Sequence, residues 1–114
     1  MKRGEIWTAA GGPDYAGKPR PFVIVQDDRL GILTSVTVCG FTRDPADTPI
    51  FRVAVVPSEL NRMQAPSQIM VDKITTIPAG KLGYRIGQLD DQDLLRVNRA
   101  LLVHLGLAGA PEAD

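Results

Sequence analysis

Residues 22–25, Phe22-Val23-Ile24-Val25, form an unbroken apolar run between Pro21 and Gln26. Neighbouring side chains of a strand point to opposite faces, so a strand made of this run is apolar on both. The rest of the chain must then cover both faces. That demand falls on 114 residues, of which 44% are hydrophobic, enough for a single domain.

Other short β-like runs surround this one, separated by Gly, Pro and Asp clusters. Glu5 to Thr8 reads as a first strand, and residues 9–20, with three glycines and two prolines, as a loop. Ser35 to Phe41 follows. Phe51 to Val56 sets Phe51, Val53 and Val55 on one face and Arg52 on the other. Gln68 to Ile77 is β-branched and long enough to bend. Leu82 to Leu89 is a weaker strand holding Gly83 and Gly87, residues that mark bulges or tight bends. The period then changes. Asp90 suits a helix N-cap, Asp93 lies three residues on, and Leu94, Val97, Leu101, Leu102 and Leu105 recur at helical spacing. Gly106 suits the C-terminal end. Several short strands and one terminal helix predict a small antiparallel barrel or sandwich, with the helix over an open end or edge. The domain is expected over residues 1–107, followed by a flexible acidic tail at 108–114.

Composition removes most enzyme classes. There is one cysteine, Cys39, and one histidine, His104. An intrachain disulfide, a cysteine cluster and a two-histidine metal site are therefore excluded within one chain. Thirteen Lys and Arg balance thirteen Asp and Glu, so bulk positive charge cannot drive binding to nucleic acid. No run of about 18 apolar residues exists to span a membrane. A short N-terminus without an apolar stretch and an unpaired cysteine together predict a cytoplasmic protein.

A few polar residues beside strands are candidates for chemistry. Arg20 lies between Pro19 and Pro21, which stiffen the backbone around it. It reads either as a surface ion pair with an acid such as Asp14, or as a guanidinium held ready for a phosphate. Thr42 ends a strand; it reads as a turn-capping hydroxyl or as a donor to phosphate or ribose. Asp72 and Lys73 are adjacent in an apolar run, so one of them is expected to point inward and need a partner, for which Arg20 is a candidate. Cys39 reads as a small core residue, and His104 as a helix-end residue.

Taken in order, these segments resemble the MazF/PemK (Kid-like) toxins of bacterial type II toxin–antitoxin systems. The resemblance is carried by Arg3-Gly4-Glu5-Ile6-Trp7, then Gly17-Lys18-Pro19-Arg20-Pro21-Phe22-Val23-Ile24-Val25, then Phe41-Thr42. It continues through Pro66-Ser67-Gln68-Ile69-Met70-Val71-Asp72-Lys73-Ile74 and Leu82 to Leu89 into the helix. It implies a mainly β fold with a C-terminal α-helix, a small SH3-like (CcdB/MazF-type) barrel, and a homodimer. It implies a metal-independent, sequence-specific endoribonuclease without cofactor, which cuts single-stranded RNA, mainly mRNA, by attack of a ribose 2′-OH on the adjacent phosphate. The ends would be a 2′,3′-cyclic phosphate and a 5′-OH. Arg20 and Thr42 correspond to the family's catalytic positions and Asp72 to a supporting one. A cognate antitoxin of the MazE/PemI kind would block the RNA groove.

Around those positions, Lys18, Arg43 and Lys73 are candidates for phosphate contacts, and Tyr15 for stacking on an unpaired base. The loop Gly12-Pro13-Asp14-Tyr15-Ala16-Gly17 and the segment Gln26-Asp27-Asp28 depart from the residues common in relatives, so the RNA sequence preference is left open. Two other classes stand beside the ribonuclease: a CcdB-like gyrase poison acting by binding, and an inactive SH3-like binding module. The zero net charge is itself uneven. Residues 1–90 carry 11 basic and 9 acidic side chains, residues 91–114 carry 2 and 4. A small positive groove on a neutral body is the expected arrangement.

Overall fold

The apolar run lies in the middle of a sheet. A computed structural model describes residues 1–10, 18–31, 34–44 and 52–109. Its strands are β1 (Glu5–Ala10), β2 (Pro19–Ile24), β3 (Ser35–Thr42), β4 (Arg52–Val55), β5 (Ser67–Met70), β6 (Thr75–Pro78) and β7 (Leu82–Gln88), followed by helix α1 (Asp91–His104). The strand order is β4-β5-β3-β2-β1-β7, with β6 also on β3, and every pairing is antiparallel. Val23 and Val25 enter the larger core with Ile6, Phe41, Ile69 and Val71. Ile24 enters a smaller one with Val36 and Val38, against Trp7, Phe22 and Ile77. Both faces of the run are thus covered, as its composition demands. Each such side chain, when fully buried, contributes roughly 1.5–3 kcal/mol.

Two strand limits differ from the sequence reading. β1 continues to Ala10 and β2 begins at Pro19, because Ala9 and Ala10 pair with Arg20 and Pro19. The prolines are tolerated there because β3 pairs only with Phe22 to Ile24, so the first half of β2 has one unpaired side. The long run from Gln68 to Ile77 is also not one strand. β5 lies along the end of β3 and β6 along its beginning, and a three-residue 3₁₀ turn, Val71–Lys73, separates them. Val71 is fully buried in that turn, which anchors the interruption to the core. Phe51, read as the start of the fourth strand, lies outside the described residues.

The sheet is not a closed barrel. β4 and β7 are its two ends, and no pairing joins them among the described residues. Two devices occupy the ends. Helix α1 packs on β4 and on the Val71–Lys73 turn, burying Val97 and Leu101. Its Arg96 Nη1 donates to the Ala54 carbonyl of the edge strand at 2.8 Å. The helix therefore covers an edge, as expected. Asp90 caps it by accepting from the Asp93 N–H at 2.7 Å. At its other end Gly106 has φ +74, and the Leu107 N–H reaches back to the Leu102 carbonyl at 2.8 Å. Glycine takes that left-handed conformation without a Cβ penalty, which lets the helix stop there.

At the other sheet end, residues 56–66 fold back over β7, where the Gln88 N–H donates to the Leu60 carbonyl at 3.1 Å. Gly87 makes this approach possible. A Cβ there would lie 2.5 Å from the Leu60 carbonyl oxygen and 2.6 Å from that of Asn61. Gly87→Ala is therefore expected to lower the melting temperature by roughly 5–15 °C, whereas Gly80→Ala, with open space around its Cβ, changes it little. Thermal melts of the two variants check this; equal melting temperatures would refute the close-packing account.

Candidate active site

A groove of about 580 Å³ opens where β2 and β3 part company. Their pairing ends at Phe22 and Gly40. Beyond it β3 turns toward β5, and the overhanging start of β2 continues beside β1. Arg20, between its two prolines, lines one wall of the gap. Thr42, Arg43 and Asp44, at the end of β3, line another. Lys73 enters from the 3₁₀ turn, and Met63, Ser67, Met70 and Phe41 supply the remaining surface. Among the described residues that line it, three cations stand against one carboxylate, on a chain of zero net charge.

The sequence-derived candidates thus divide. Arg20, Thr42, Arg43 and Lys73 come together in the groove, although they belong to three separate stretches of chain. Lys18 is exposed, just before β2, and is not among the groove-lining residues. Tyr15 lies outside the described residues, as does Asp14, the acid considered for Arg20. Thr42 does cap its turn: its Oγ1 accepts from the Asp44 N–H at 3.2 Å. That use does not exhaust it, since a hydroxyl accepting one bond still carries a proton to donate.

The partner expected for Asp72 changes. Its carboxylate is held by Arg52, with Nε to Oδ1 at 2.7 Å and Nη2 to Oδ2 at 3.1 Å. In a continuous strand Asp72 and Lys73 would face opposite ways, one of them inward. The 3₁₀ turn instead directs Asp72 to β4 and Lys73 to the groove. The pair is mostly buried, with 11% of the Arg52 side chain and 24% of the Asp72 side chain exposed. Burial pushes the Asp72 carboxyl up. The Arg52 hydrogen bonds, a backbone N–H and the charges of Arg52 and Lys73 outweigh it and hold the group below its ordinary value.

Cys39 is fully buried, and burial pushes its thiol up to about 12, which fits a core residue without nucleophilic character. His104 ends α1 and does not line the groove. Among the described residues no three His, Cys, Asp or Glu side chains gather as a metal site. Sequence reasoning missed Arg52, Met63, Ser67 and Met70. Arg52 had one visible signal, a lone cation opposite the apolar face of a strand. The other three carry no local signature.

Solved structures share this fold. A mycobacterial endoribonuclease solved with its cognate antitoxin superposes with TM-score 0.78 at 23% identity, covering 96% of this chain and 99% of that one. The Mycobacterium tuberculosis toxin MazF-mt6 superposes with TM-score 0.75 at 27% identity, covering 92% and 99%. These define the class: a small, mainly β toxin fold with a C-terminal helix. Residues 2–105 match the family described as PemK-like, MazF-like toxin of type II toxin–antitoxin system, and the chain belongs to it. A relative from Mycolicibacterium smegmatis, named probable endoribonuclease MazF, is 46% identical over 96% of this chain and all of its own. Endoribonuclease MazF9 of M. tuberculosis is 28% identical over 94% and 98%.

The Arg52–Asp72 pair makes a testable demand. A carboxylate whose pKa is depressed by folding stabilises the fold above its unfolded pKa, about 3.9. That contribution is lost as pH falls through the lower folded pKa. Asp72→Asn is expected to cost about 2 kcal/mol at pH 7, because it leaves the Arg52 charge uncompensated. The gap between wild type and variant should shrink below about pH 4. Urea unfolding of both proteins from pH 7 to pH 3 measures it. A gap independent of pH would remove the assigned ion pair.

Proposed function

We propose that this chain is the toxin of a type II toxin–antitoxin pair, and that it cuts single-stranded RNA in the groove without metal or cofactor. The observation that carries the reading is the convergence of Arg20 and Thr42 on one positive groove. The names of the relatives, both endoribonucleases, support it over gyrase poisoning or simple binding. In the proposed reaction the 2′-oxygen forms a bond to the adjacent phosphorus as the bond to the 5′-oxygen breaks. One proton leaves the 2′-OH and one reaches the departing 5′-oxygen, giving a 2′,3′-cyclic phosphate and a 5′-OH. Negative charge builds on the non-bridging oxygens between those events.

Arg20 is assigned to that charge. A guanidinium presents paired N–H groups to two oxygens, and it stays protonated at neutral pH, which makes it a poor base. Thr42 is assigned to hold a phosphate or ribose oxygen at the groove end. Arg43 and Lys73, with exposed Lys18 beside them, are assigned to flanking phosphates, and Tyr15 to an unpaired base. Asp72 serves the site through Arg52, by fixing the turn that delivers Lys73.

Partners follow from the same groove. An antitoxin of the MazE/PemI kind is assigned to cover it; structural relatives include a mycobacterial endoribonuclease with its antitoxin and MazE–MazF of Deinococcus radiodurans. A homodimer is assigned from the outward side of α1, where Leu95, Leu102 and Val103 are exposed. No helix among the described residues is long and apolar enough to cross a membrane, and action on mRNA assigns the protein to the cytoplasm.

Pure protein is expected to cut a long single-stranded RNA into discrete bands with 5′-OH ends in the presence of EDTA. Arg20→Ala should lose on the order of 10²–10³ in rate, and Arg20→Lys should recover little of it. Intact RNA with the wild type refutes the ribonuclease reading; full activity in Arg20→Ala refutes the role of Arg20. Light scattering at micromolar concentration should return the mass of two chains, and a monomeric mass removes the dimer.

A further inference from the structure

The groove holds a polar group that its electrostatics leave unexplained. Ser67, the first residue of β5, is 6% exposed and lines the groove, yet its buried Oγ has no hydrogen-bond partner. Buried hydroxyls are nearly always bonded, because an unpaired one loses its water without replacement. Nothing in the strand needs a hydroxyl there. Ser67 pairs across the ladder with Val55, and alanine would fill the position without an orphaned atom.

The surroundings indicate what would pair with it. Met63, Met70 and Phe41 give the same groove an apolar wall, whereas Arg20, Arg43 and Lys73 give it charge. Phe41 and Met70 also serve the core, but the part of the wall that faces the groove offers apolar contact an anion alone does not need. A nucleotide chain does, since its phosphates follow cations and its bases seek apolar or aromatic surface. Methionine suits this task, because an unbranched thioether adapts to a flat ring and moves aside to admit it.

Met63 is also held in place. It follows the turn Ser58–Asn61, whose Asn61 is 2% exposed. Asn61 Oδ1 accepts from the Ser58 and Met63 N–H groups, both at 2.9 Å, and Nδ2 donates to the Val56 carbonyl at 2.9 Å. Arg62, between Asn61 and Met63, has φ 56, a conformation unfavourable for its side chain. The backbone accepts this strain while delivering Met63 to the groove.

We propose that Ser67, which lines the groove with Met63 and Met70, is a specificity-determining residue: its hydroxyl pairs with the edge of one unpaired nucleobase lying against the methionine wall. The inference rests on the ribonuclease reading for its choice of ligand. Phosphate contacts carry no sequence information, whereas a buried hydroxyl facing a base edge does. Because the hydroxyl is buried at one fixed point, a base whose edge brings no polar atom there leaves it unpaired.

The test uses uncleavable 2′-O-methyl oligonucleotides, each of a single base, with affinity read by fluorescence anisotropy. The wild type is expected to bind the preferred base at least tenfold more tightly than the others. Ser67→Ala should reduce that spread about tenfold, leave the salt dependence unchanged, and keep or raise the melting temperature. Met63→Ala should weaken binding of every base without changing the salt dependence. A wild type without base preference overturns the proposal. So does a Ser67→Ala variant with the wild-type spread, or one with a lowered melting temperature and uniform loss across bases. Cleavage of ordinary RNA by the wild type is measured separately; its absence would refute the ribonuclease reading and leave the binding comparison to decide the role of Ser67.

Discussion

Strand β3 carries the architecture, because it is paired on both sides and buried on both faces. β2 bonds to one side, and β5 and β6 share the other. Val36 and Val38 face the smaller core, and Cys39 and Phe41 the larger. A strand so enclosed cannot slip in register without moving apolar side chains to the wrong face. Its end is therefore fixed, and with it Thr42. The groove is a geometric consequence: β2 outruns β3, β3 bends toward β5, and the space between them is lined by whatever those strand ends carry. The sequence places Arg20 and its prolines on one side and Thr42-Arg43-Asp44 on the other.

The distribution of charge follows a similar logic. Arg52, Arg85, Arg29 and Arg96 are each joined to an acid, Asp72, Glu5, Asp27 and Asp93 respectively. These pairs make much of the charged surface neutral at short range. All but the mostly buried Arg52–Asp72 pair are exposed and contribute little to stability. Among the described residues, the groove lining is one place where cations outnumber acids. Zero net charge is thus compatible with a positive site of a few charges. It argues only against binding that depends on bulk charge.

Much of the fold was legible because its signals are local. The apolar run at 22–25, the Asp90 cap and the Gly106 stop each lie within a few residues of the structure they specify. The position of Arg20 was legible for the same reason, since two prolines fix its backbone. What escaped depends on distant chain. The break of the 68–77 run into β5, a 3₁₀ turn and β6 is set by how β3 receives it, and its β-branched composition gives no warning. The partner of Asp72 was misjudged because Arg52 lies 20 residues away and meets it only through the β4–β5 pairing. Ser67 and Met63 look ordinary in sequence; only burial and the fold of residues 56–66 make them part of a site.

The features that distinguish the groove are ones that folding alone does not favour. Three cations share it, a buried hydroxyl lacks a partner, and Arg62 beside it holds an unfavourable φ. Each costs free energy, of order 1–3 kcal/mol for the hydroxyl and for the strained backbone. A domain of this size has only about 5–15 kcal/mol of net stability to offset such costs. The two-sided core supplies that margin: Ile6, Val23, Ile24, Val36, Val38 and Ile69 are all at most 1% exposed. β7 is laddered to β1, and the Asn61 turn meets β7 at the close approach of Gly87 while Met63 packs against the larger core. The same core that places Arg20 and Thr42 also backs the apolar wall of the groove, through Phe41, Met70 and Met63.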